Sequence, residues 1–318
     1  MNRLMLVALI MLATVAQAQT FPPKSSISLT VGFAAGGAAD TAARIIAKKL
    51  GENIGATVVV DNKPGAGGNI AHAQVAGGPS DGSVILLGSI GPLALAPHMM
   101  KINYDPLKDL APISMAIDTP NLLVVPAGAP YKTFADFIAY ARKNPGKIDF
   151  ASTGPGSASH LAGELVNDAA QVDTLHVPYK GGAPAMQDLL GGRVAAHYST
   201  VSTAKPHIEA GKLIALASTG SQRLSSYPKV PTVAESGFPG FSATNWYAFV
   251  ASAKVPKPVL DRWNQEIVKV LKSPDVVEQL NTHGLTPQPS SREDLAKLIR
   301  DEHATYGRVI KARNIKAE

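Results

Sequence analysis

The chain has 318 residues, of which 45% are hydrophobic and 17% are charged, with 28 glycines and 24 prolines. This composition is typical of a globular protein with many tight turns, of one large or two ordinary domains, and it excludes disordered and fibrous classes. The formal net charge is +6, but lysine and arginine are scattered and are not interleaved with aromatic residues, so a nucleic-acid partner is not indicated.

The first eighteen residues have the pattern of an export signal. Arg3 supplies a positive charge, residues 4–15 form an apolar segment, and Ala16-Gln17-Ala18 is a small-residue cleavage site. We expect cleavage after Ala18, and a buried N-terminal helix is the alternative. No later stretch approaches the roughly 20 apolar residues of a membrane-spanning helix, and there is no cysteine to form a disulfide or carry a lipid. The sequence therefore predicts a soluble protein of the bacterial periplasm.

The mature chain opens with alternating strands and helices. Residues 27–31 predict a buried strand, residues 32–39 a tight turn, and residues 40–50 an amphipathic helix. A second unit follows, with strands over 57–61 and 83–87 and a short helix around 70–76. The glycines of this unit miss the dinucleotide-binding fingerprint, because Ile70 stands where its last glycine is required. Such alternation predicts a parallel sheet flanked by helices.

The same alternation starts again near residue 133 and predicts a second sheet. Its elements are helices over 134–142, 159–169 and 184–190 and strands over 148–152, 174–178, 194–198 and 213–218. The tail then predicts a strand over 244–250 and long helices over 258–271 and 292–310. Because the second sheet already has its own helices, we expect the tail to return to the first domain. The predicted fold class is therefore α/β, with two domains of mainly parallel sheet. The boundaries are a signal peptide at 1–18, the first domain at 19–123 and 233–318, and the second domain at 124–232.

Two loops have the pattern of an anion-binding site. Residues 32–37 follow a strand and open a helix, and their small side chains let a ligand lie against backbone N–H groups and the positive end of the helix dipole. Residues 152–160 repeat this arrangement, with hydroxyls that can cap a helix or donate to a ligand oxygen. Either loop alone could be an ordinary connection. Together they predict a site for an anion in a cleft between two domains.

Catalytic and metal-binding patterns are weak. Neither loop has the lysine of a P-loop, the segment around Ser157 lacks the Gly-x-Ser-x-Gly pattern of a nucleophile elbow, and the eight histidines show no metal-ligand spacing. His160 could be the base of a periplasmic enzyme or a residue of the helix surface or ligand site. Asp40 is expected to be a helix N-cap or first-turn residue paired with Arg44. We predict no enzyme, no metal and no cofactor.

A family resemblance is carried by motifs spread over nearly the whole mature chain. They are Gly32-Phe33-Ala34-Ala35-Gly36-Gly37 with Asp40-Thr41 and Arg44, Asn62-Lys63-Pro64-Gly65-Ala66-Gly67-Gly68-Asn69, Asp81-Gly82, Tyr104-Asp105-Pro106, Gly154-Pro155-Gly156-Ser157 with His160-Leu161-Ala162-Gly163-Glu164, His176-Val177-Pro178-Tyr179-Lys180-Gly181-Gly182, Pro231-Thr232-Val233-Ala234-Glu235-Ser236-Gly237 and Trp246-Tyr247. In this combination the chain resembles the Bug family, the periplasmic solute-binding proteins of tripartite tricarboxylate transporters.

The resemblance implies a Venus flytrap fold that grips a ligand carboxylate between two loops, largely through backbone groups and ordered water. It also implies delivery of the ligand to the subunits of a membrane permease. The ligand-binding residues implied for this sequence are Phe33, Ala35, Gly37, Asp40, Ser89, Thr153, Gly156, Ser157, His160, Tyr179 and Ser199. We expect a monomer with no nucleic acid partner. A role in signalling to a sensor kinase, instead of delivery to a transporter, remains an alternative, because no residue distinguishes the two functions.

The chain departs from the family pattern at one position. Where the family commonly reads Phe-Asp-Asn, this sequence reads Tyr198-Ser199-Thr200. A buried ammonium group needs charge-compensating acceptors, and Ser199 and Thr200 offer only neutral oxygens. We therefore expect a di- or tricarboxylic or hydroxy acid to be preferred over an amino acid.

Overall fold

The computed structural model describes residues 21–224, 226–243 and 245–317. The predicted export signal and its cleavage site lie outside these residues. Within the described part of the chain, no helix is long and apolar enough to cross a lipid bilayer.

Strands and helices alternate over most of the described chain. The strands are β1 (Ser26–Val31), β2 (Thr57–Asn62), β3 (Val84–Ser89), β4 (Leu110–Asp118), β5 (Asn121–Pro126), β6 (Asp149–Ser152), β7 (Leu175–Pro178), β8 (Ala196–Thr200), β9 (Leu213–Ser218), β10 (Trp246–Ser252) and β11 (Thr286–Pro287). The α-helices are α1 (Ala38–Ile54), α2 (Asn69–Ala76), α3 (Ala96–Met99), α4 (Phe134–Lys143), α5 (Ala158–Ala170), α6 (Gly182–Leu190), α7 (Val201–Glu209), α8 (Lys257–Leu271), α9 (Pro274–Thr282) and α10 (Arg292–Ala312). A 3₁₀ turn at Ala66–Gly68 precedes α2, and a π-helical turn at Gly91–Leu95 precedes α3.

Local sequence explains how several helices begin and end. Helix α1 ends at Gly55, whose φ of 66° is left-handed and whose N–H donates to the carbonyl of Gly51. Helix α4 begins at Thr133, which forms a reciprocal capping box with Asp136. Helix α10 begins at Ser291, whose hydroxyl accepts a hydrogen bond from the first turn. The boundaries of these helices are therefore determined by short sequence segments.

The strands form two sheets, and each sheet is mixed. The first has the order β11-β4-β10-β3-β1-β2, and the second has the order β7-β6-β8-β5-β9. Strands β2, β1 and β3 are parallel, as are β7, β6 and β8. Strands β10 and β5 run antiparallel to both of their neighbours. The predicted two-domain α/β class is confirmed, but the sheets are half antiparallel and not mainly parallel.

Strand β4 is the longest of the strands that the sequence did not predict. Pro112 interrupts its apolar run, and proline inside a strand removes a backbone donor and argues against a regular ladder. The structure accommodates Pro112 at a register shift between β4 and β10, next to Val250. The π-helical turn, α7 and α9 are also additions to the predicted elements.

The chain passes between the two sheets twice. Strand β4 lies in the first sheet and β5 in the second, and after β9 the chain returns to the first sheet in β10. The two crossing segments are hydrogen-bonded to each other, because the N–H of Thr119 donates to the carbonyl of Asn245 and the N–H of Thr219 donates to that of Asn121, both at 2.9 Å. We call the first sheet with α1–α3 and α8–α10 the first lobe, and the second sheet with α4–α7 the second lobe.

Apolar packing supports each lobe and continues between them. In the first lobe the fully buried indole of Trp263 donates to the carbonyl of Gly82 at 3.0 Å and anchors α8 against the sheet. One buried cluster includes Leu93 of the first lobe, Leu123 of the second and Trp246 at the return crossing. The region of the crossings is therefore held by hydrophobic burial as well as by backbone hydrogen bonds.

Candidate functional site

The first predicted loop, residues 32–37, joins β1 to α1. Gly37 is the N-cap of α1 and has an extended backbone with no side chain to cap the helix. The carboxylate of Asp40 accepts a hydrogen bond from the N–H of Gly36 at 2.9 Å and forms an ion pair with Arg44 at 2.9 Å. Asp40 is therefore a first-turn residue that fixes its own loop, and it is not the N-cap. Burial alone would raise the pKa of Asp40, but the hydrogen bonds from Arg44 and Gly36 bring it below its usual value.

The first loop meets the second lobe at the loop that follows β7. The N–H of Ala34 donates to the carbonyl of Lys180 at 3.0 Å. A Cβ atom at Gly37 would lie 3.8 Å from the backbone nitrogen of Gly182. Ala35, between these contacts, is exposed. The positive end of α1 therefore faces the backbone of the second lobe.

The second predicted loop joins β6 to α5. Ser157 is the N-cap of α5, and its hydroxyl accepts a hydrogen bond from the N–H of His160 at 3.3 Å. The N–H of Thr153 donates to the hydroxyl of Ser159 at 2.9 Å. The N–H of Gly156 donates to Nδ1 of His160 at 3.2 Å. These bonds hold the loop in one conformation at the positive end of α5.

Replacement of Ser157 by alanine should destabilise the protein. The variant Ser157→Ala removes the cap of α5, and loss of such a cap costs about 0.5–2 kcal/mol of unfolding free energy. Urea denaturation of both proteins measures the difference. Ser221→Ala is the control, because Ser221 is exposed and outside a helix. Equal midpoints for the two variants would contradict the capping role.

The second loop meets the first lobe at two glycines. A Cβ atom at Gly154 would lie only 2.7 Å from the backbone nitrogen of Gly67. A Cβ atom at Gly91 would lie 2.9 Å from the carbonyl oxygen of Gly156. The backbones of the two lobes are therefore in direct contact here, and the lobes are closed on each other.

Each predicted loop thus faces a loop that sequence reasoning did not assign to the site. The additional loops are residues 65–68, after β2, and residues 180–182, after β7. Both follow parallel strands next to β1 and β6, and the carboxyl ends of parallel strands meet at one edge of a sheet. The signal that could have identified them is the glycine run after each of these strands.

Phe33 and Ser89 lie at the carboxyl ends of β1 and β3. The carbonyl of Phe33 accepts a hydrogen bond from the amide of Asn62 at 3.0 Å, and its ring is edge-on to Tyr247 with centroids 6.3 Å apart. Ser89 is buried and is paired with Tyr247 in the ladder between β3 and β10. The structure therefore brings Phe33 and Ser89 to the same end of the first sheet.

The hydroxyls of Tyr179 and Ser199 are committed to other partners. The hydroxyl of Tyr179 donates to Asp188 at 2.8 Å, and that of fully buried Ser199 donates to the carbonyl of Thr200 at 3.1 Å. The carbonyl oxygen of Tyr179, by contrast, is 3.1 Å from the position of a Cβ at Gly154. Tyr179 is therefore brought to the loops by its backbone and not by its hydroxyl.

His160 is held as a neutral ring. Because its Nδ1 accepts a hydrogen bond, the proton is on Nε2, which lies 3.7 Å from the carboxylate of Glu164. The ring stacks on His176 at a centroid distance of 3.8 Å. Burial, with a smaller contribution from His176, lowers the pKa of His160 to about 3. The basic nitrogen is thus used within the loop, which disfavours a role as general base.

The described residues offer no group of three or more histidine, cysteine, aspartate or glutamate side chains that could hold a metal ion. A cavity between α5 and residues 313–316 is lined by both acidic and basic side chains, among them Asp168 and Arg313. These two residues form an ion pair at 2.9 Å. Because residues 313–316 follow α10 of the first lobe, this ion pair also joins the two lobes, and the cavity wall includes the site residue His160.

Two α/β lobes joined by two crossings, with backbone-lined loops and helix N-termini facing each other, define a bilobal solute-binding protein. A family model described as "Tripartite tricarboxylate transporter family receptor" matches residues 42–315. The chain belongs to this family, which confirms the resemblance drawn from its motifs.

Relatives and solved structures agree with this assignment. The chain is 39% identical to a UPF0065 protein of Pseudomonas sp. strain P51, over 91% of this chain and 86% of the relative. It is 36% identical to BugT of Bordetella pertussis, over 98% of this chain and 97% of BugT. The structure of Rpa4515 of R. palustris with adipate has a TM-score of 0.89, 33% identity and coverage of 93% of this chain and 99% of that one. MatC of Rhodopseudomonas palustris with bound malate has a TM-score of 0.86, 30% identity and coverage of 90% and 98%.

Proposed function

We propose that the chain captures a small carboxylate between its two lobes and delivers it to the permease of a tripartite tricarboxylate transporter. The observation that carries this proposal is that α1 and α5 begin at the contacts between the lobes, at Gly37 and Ser157. N–H groups and the positive end of a helix dipole favour a carboxylate. The adipate and malate of the two R. palustris structures are carboxylates of the proposed size.

The proposed binding groups are mainly backbone groups of the two predicted loops. Phe33, Ala35 and Gly37 contribute from the first lobe, together with Ser89. Thr153, Gly156 and Ser157 contribute from the second. Asp40, His160, Tyr179 and Ser199 act by positioning, because their polar atoms already bond to the loops or to neighbouring residues.

We further propose that the protein is exported, is cleaved after Ala18 and acts in the periplasm as a monomer. The proposed domains are residues 19–123 with 233–318 and residues 124–232, although the first of these boundaries falls inside β5 and the chain crosses between the sheets at residues 119–120. The crossing segments between them are the proposed hinge. Small-angle scattering should show a smaller radius of gyration with a bound carboxylate than without one.

A screen of carboxylates tests the binding function directly. Malate, adipate, citrate and succinate are added to purified protein, and the melting temperature is measured, because a ligand that binds the native state stabilises it. Calorimetry then gives the affinity of each stabilising compound. Recovery of the unchanged compound after denaturation separates binding from catalysis. Absence of stabilisation by every carboxylate would contradict the proposal.

We expect malate or citrate to bind more tightly than glutamate. The charge of Asp40 is compensated by Arg44, and Ser199 offers a neutral hydroxyl that is already bonded. The ammonium group of an amino acid would therefore lose water without gaining a carboxylate partner. Competition calorimetry measures the order of the affinities. Glutamate binding tenfold more tightly than malate, a difference of about 1.4 kcal/mol, would refute the argument from Ser199.

A further inference from the structure

The loop that follows β2 carries part of the family pattern but was given no role in the predicted site, and it is rigidly built. The amide of Asn69 donates to the carbonyl of Ala66 at 2.7 Å, and the hydroxyl of Tyr104 donates to the amide oxygen of Asn69 at 2.8 Å. Residues 65–68 all have positive φ, with values of 141°, 48°, 61° and 99°. The apex of this loop therefore has a fixed position on the first lobe.

The apex is Gly67, which touches the second lobe through its backbone. A Cβ atom at Gly67 would overlap the carbonyl oxygen of Pro155, and one at Gly154 would lie 2.9 Å from the Cα of Gly67. Real Cβ atoms do not approach backbone atoms so closely, and neither partner is a flexible side chain that can rotate away. The two lobes can therefore reach this separation only if both positions are glycine.

Gly91 makes a second contact of the same kind from a different element. It lies in the π-helical turn, and a Cβ atom there would be 2.9 Å from the carbonyl oxygen of Gly156 and 3.1 Å from the Cα of Ser157. Unlike Gly67, it has no positive φ. An alanine at this position would meet only the second lobe and would not strain its own backbone.

We infer that Gly67 and Gly91 are positioning residues for ligand binding, which set how far the lobes close by permitting backbone contact with residues 154–157. This inference rests on the proposed binding function. A methyl group at either position would hold the lobes apart at the N-terminus of α5. The closed state would then be less populated, and a ligand held between the lobes would be released faster.

A disulfide between the lobes measures closure without any ligand. The chain has no cysteine, so the double variant Gly36→Cys, Ala183→Cys introduces a single pair. A Cβ atom at Gly36 would lie 3.6 Å from that of Ala183, which is within the range of a disulfide. In this background we expect Gly67→Ala and Gly91→Ala to slow cross-linking about tenfold, equivalent to about 1.4 kcal/mol.

Gly55→Ala is the matched control. Gly55 has a φ of 66°, close to the 61° of Gly67, but no atom lies within 4 Å of the position of its Cβ. The Gly55→Ala variant therefore measures the cost of placing alanine in a left-handed backbone conformation, without any contact between the lobes. Gly91→Ala supplies the complementary test if Gly67→Ala does not fold, because alanine is favoured over glycine in a helix. Cross-linking of both variants at the rate of Gly55→Ala would overturn the inference.

Calorimetry and stopped-flow measurements with malate and adipate complete the test in the native background, without the cysteines. We expect the two variants to bind about tenfold more weakly than Gly55→Ala. This loss of affinity should come from faster dissociation of the ligand. Unchanged affinity and dissociation rates in both variants would overturn the inference. If the unsubstituted chain bound neither probe, the proposed function would fail for these ligands, and the cross-linking rates would still decide whether the glycines control closure.

Discussion

The free energy of unfolding should fall as the pH drops from about 6.5 to about 4. Burial favours the neutral form of four histidines and lowers the pKa of His72, His176 and His197 to about 4 and that of His160 to about 3. In the unfolded chain these rings have a pKa of about 6.5. The stabilisation is therefore complete above the pKa of the unfolded chain. It is lost as the pH falls towards the pKa values of the folded state. Each ring contributes up to about 1.4 kcal/mol per pH unit.

For two of the four rings, the hydrogen bonds explain why they resist protonation. Nδ1 of His72 and Nδ1 of His197 each donate to a backbone carbonyl at 2.9 Å, from Gly68 and Ala151 respectively. Each proton must therefore be on Nδ1, and Nε2 of both rings is buried without a hydrogen-bond partner among the described residues. A second proton would place an uncompensated charge in the core. Glu302 opposes this trend in part, because burial raises its pKa to about 7 and its contribution is lost as the pH rises.

Urea denaturation at several pH values between 7.5 and 4 measures this dependence. His176→Gln should reduce the slope by up to about 1.4 kcal/mol per pH unit, because it removes one of these four rings, which is half-buried. His283→Gln is the matched control, since His283 is exposed. Equal unfolding free energies at pH 7 and pH 4.5 would show that these histidines are not held neutral by the fold.

The parts of the site that sequence reasoning predicted are those that depend on neighbouring residues. The cap at Ser157 and the pair formed by Asp40 and Arg44 each lie within one turn of a helix, and their spacing can be recognised in a single segment. The alternation of strands and helices gave the α/β class for the same reason. The stack of His160 on His176 was not predicted, because it joins α5 to β7.

The pairing of loops between the lobes could not be predicted in this way. It depends on the order of strands in two sheets and on the relative placement of the lobes. The sequence places Gly67 and Gly154 almost ninety positions apart, and only the closed structure shows that their backbones touch. Strand β4 was missed for a different reason. Its pairing with β10 tolerates Pro112 at a register shift, so tertiary context overrides a local signal against a strand.

Gly37→Val should abolish tight binding of the carboxylate. Gly37 has an extended backbone with φ of −88°, which valine adopts readily. A Cβ atom at this position would lie 3.7 Å from the carbonyl of Ala34 and 3.8 Å from the nitrogen of Gly182, so a methyl group fits, whereas valine adds two further carbons. They would occupy the space between the N-terminus of α1 and the second lobe. We expect affinity for malate or adipate to fall by at least about 100-fold, or about 2.7 kcal/mol.

Gly37→Ala is the control that separates obstruction from the loss of a favourable N-cap. Alanine and valine are both poor N-cap residues, and each should destabilise α1 by a few tenths of a kcal/mol relative to glycine or somewhat more. Their melting temperatures should therefore be similar, while only valine prevents binding. Calorimetry of the two variants with the same carboxylate gives the comparison. If Gly37→Val bound the ligand as tightly as Gly37→Ala, the N-terminus of α1 would not be part of the binding site, and the carboxylate would have to be held by the second lobe alone.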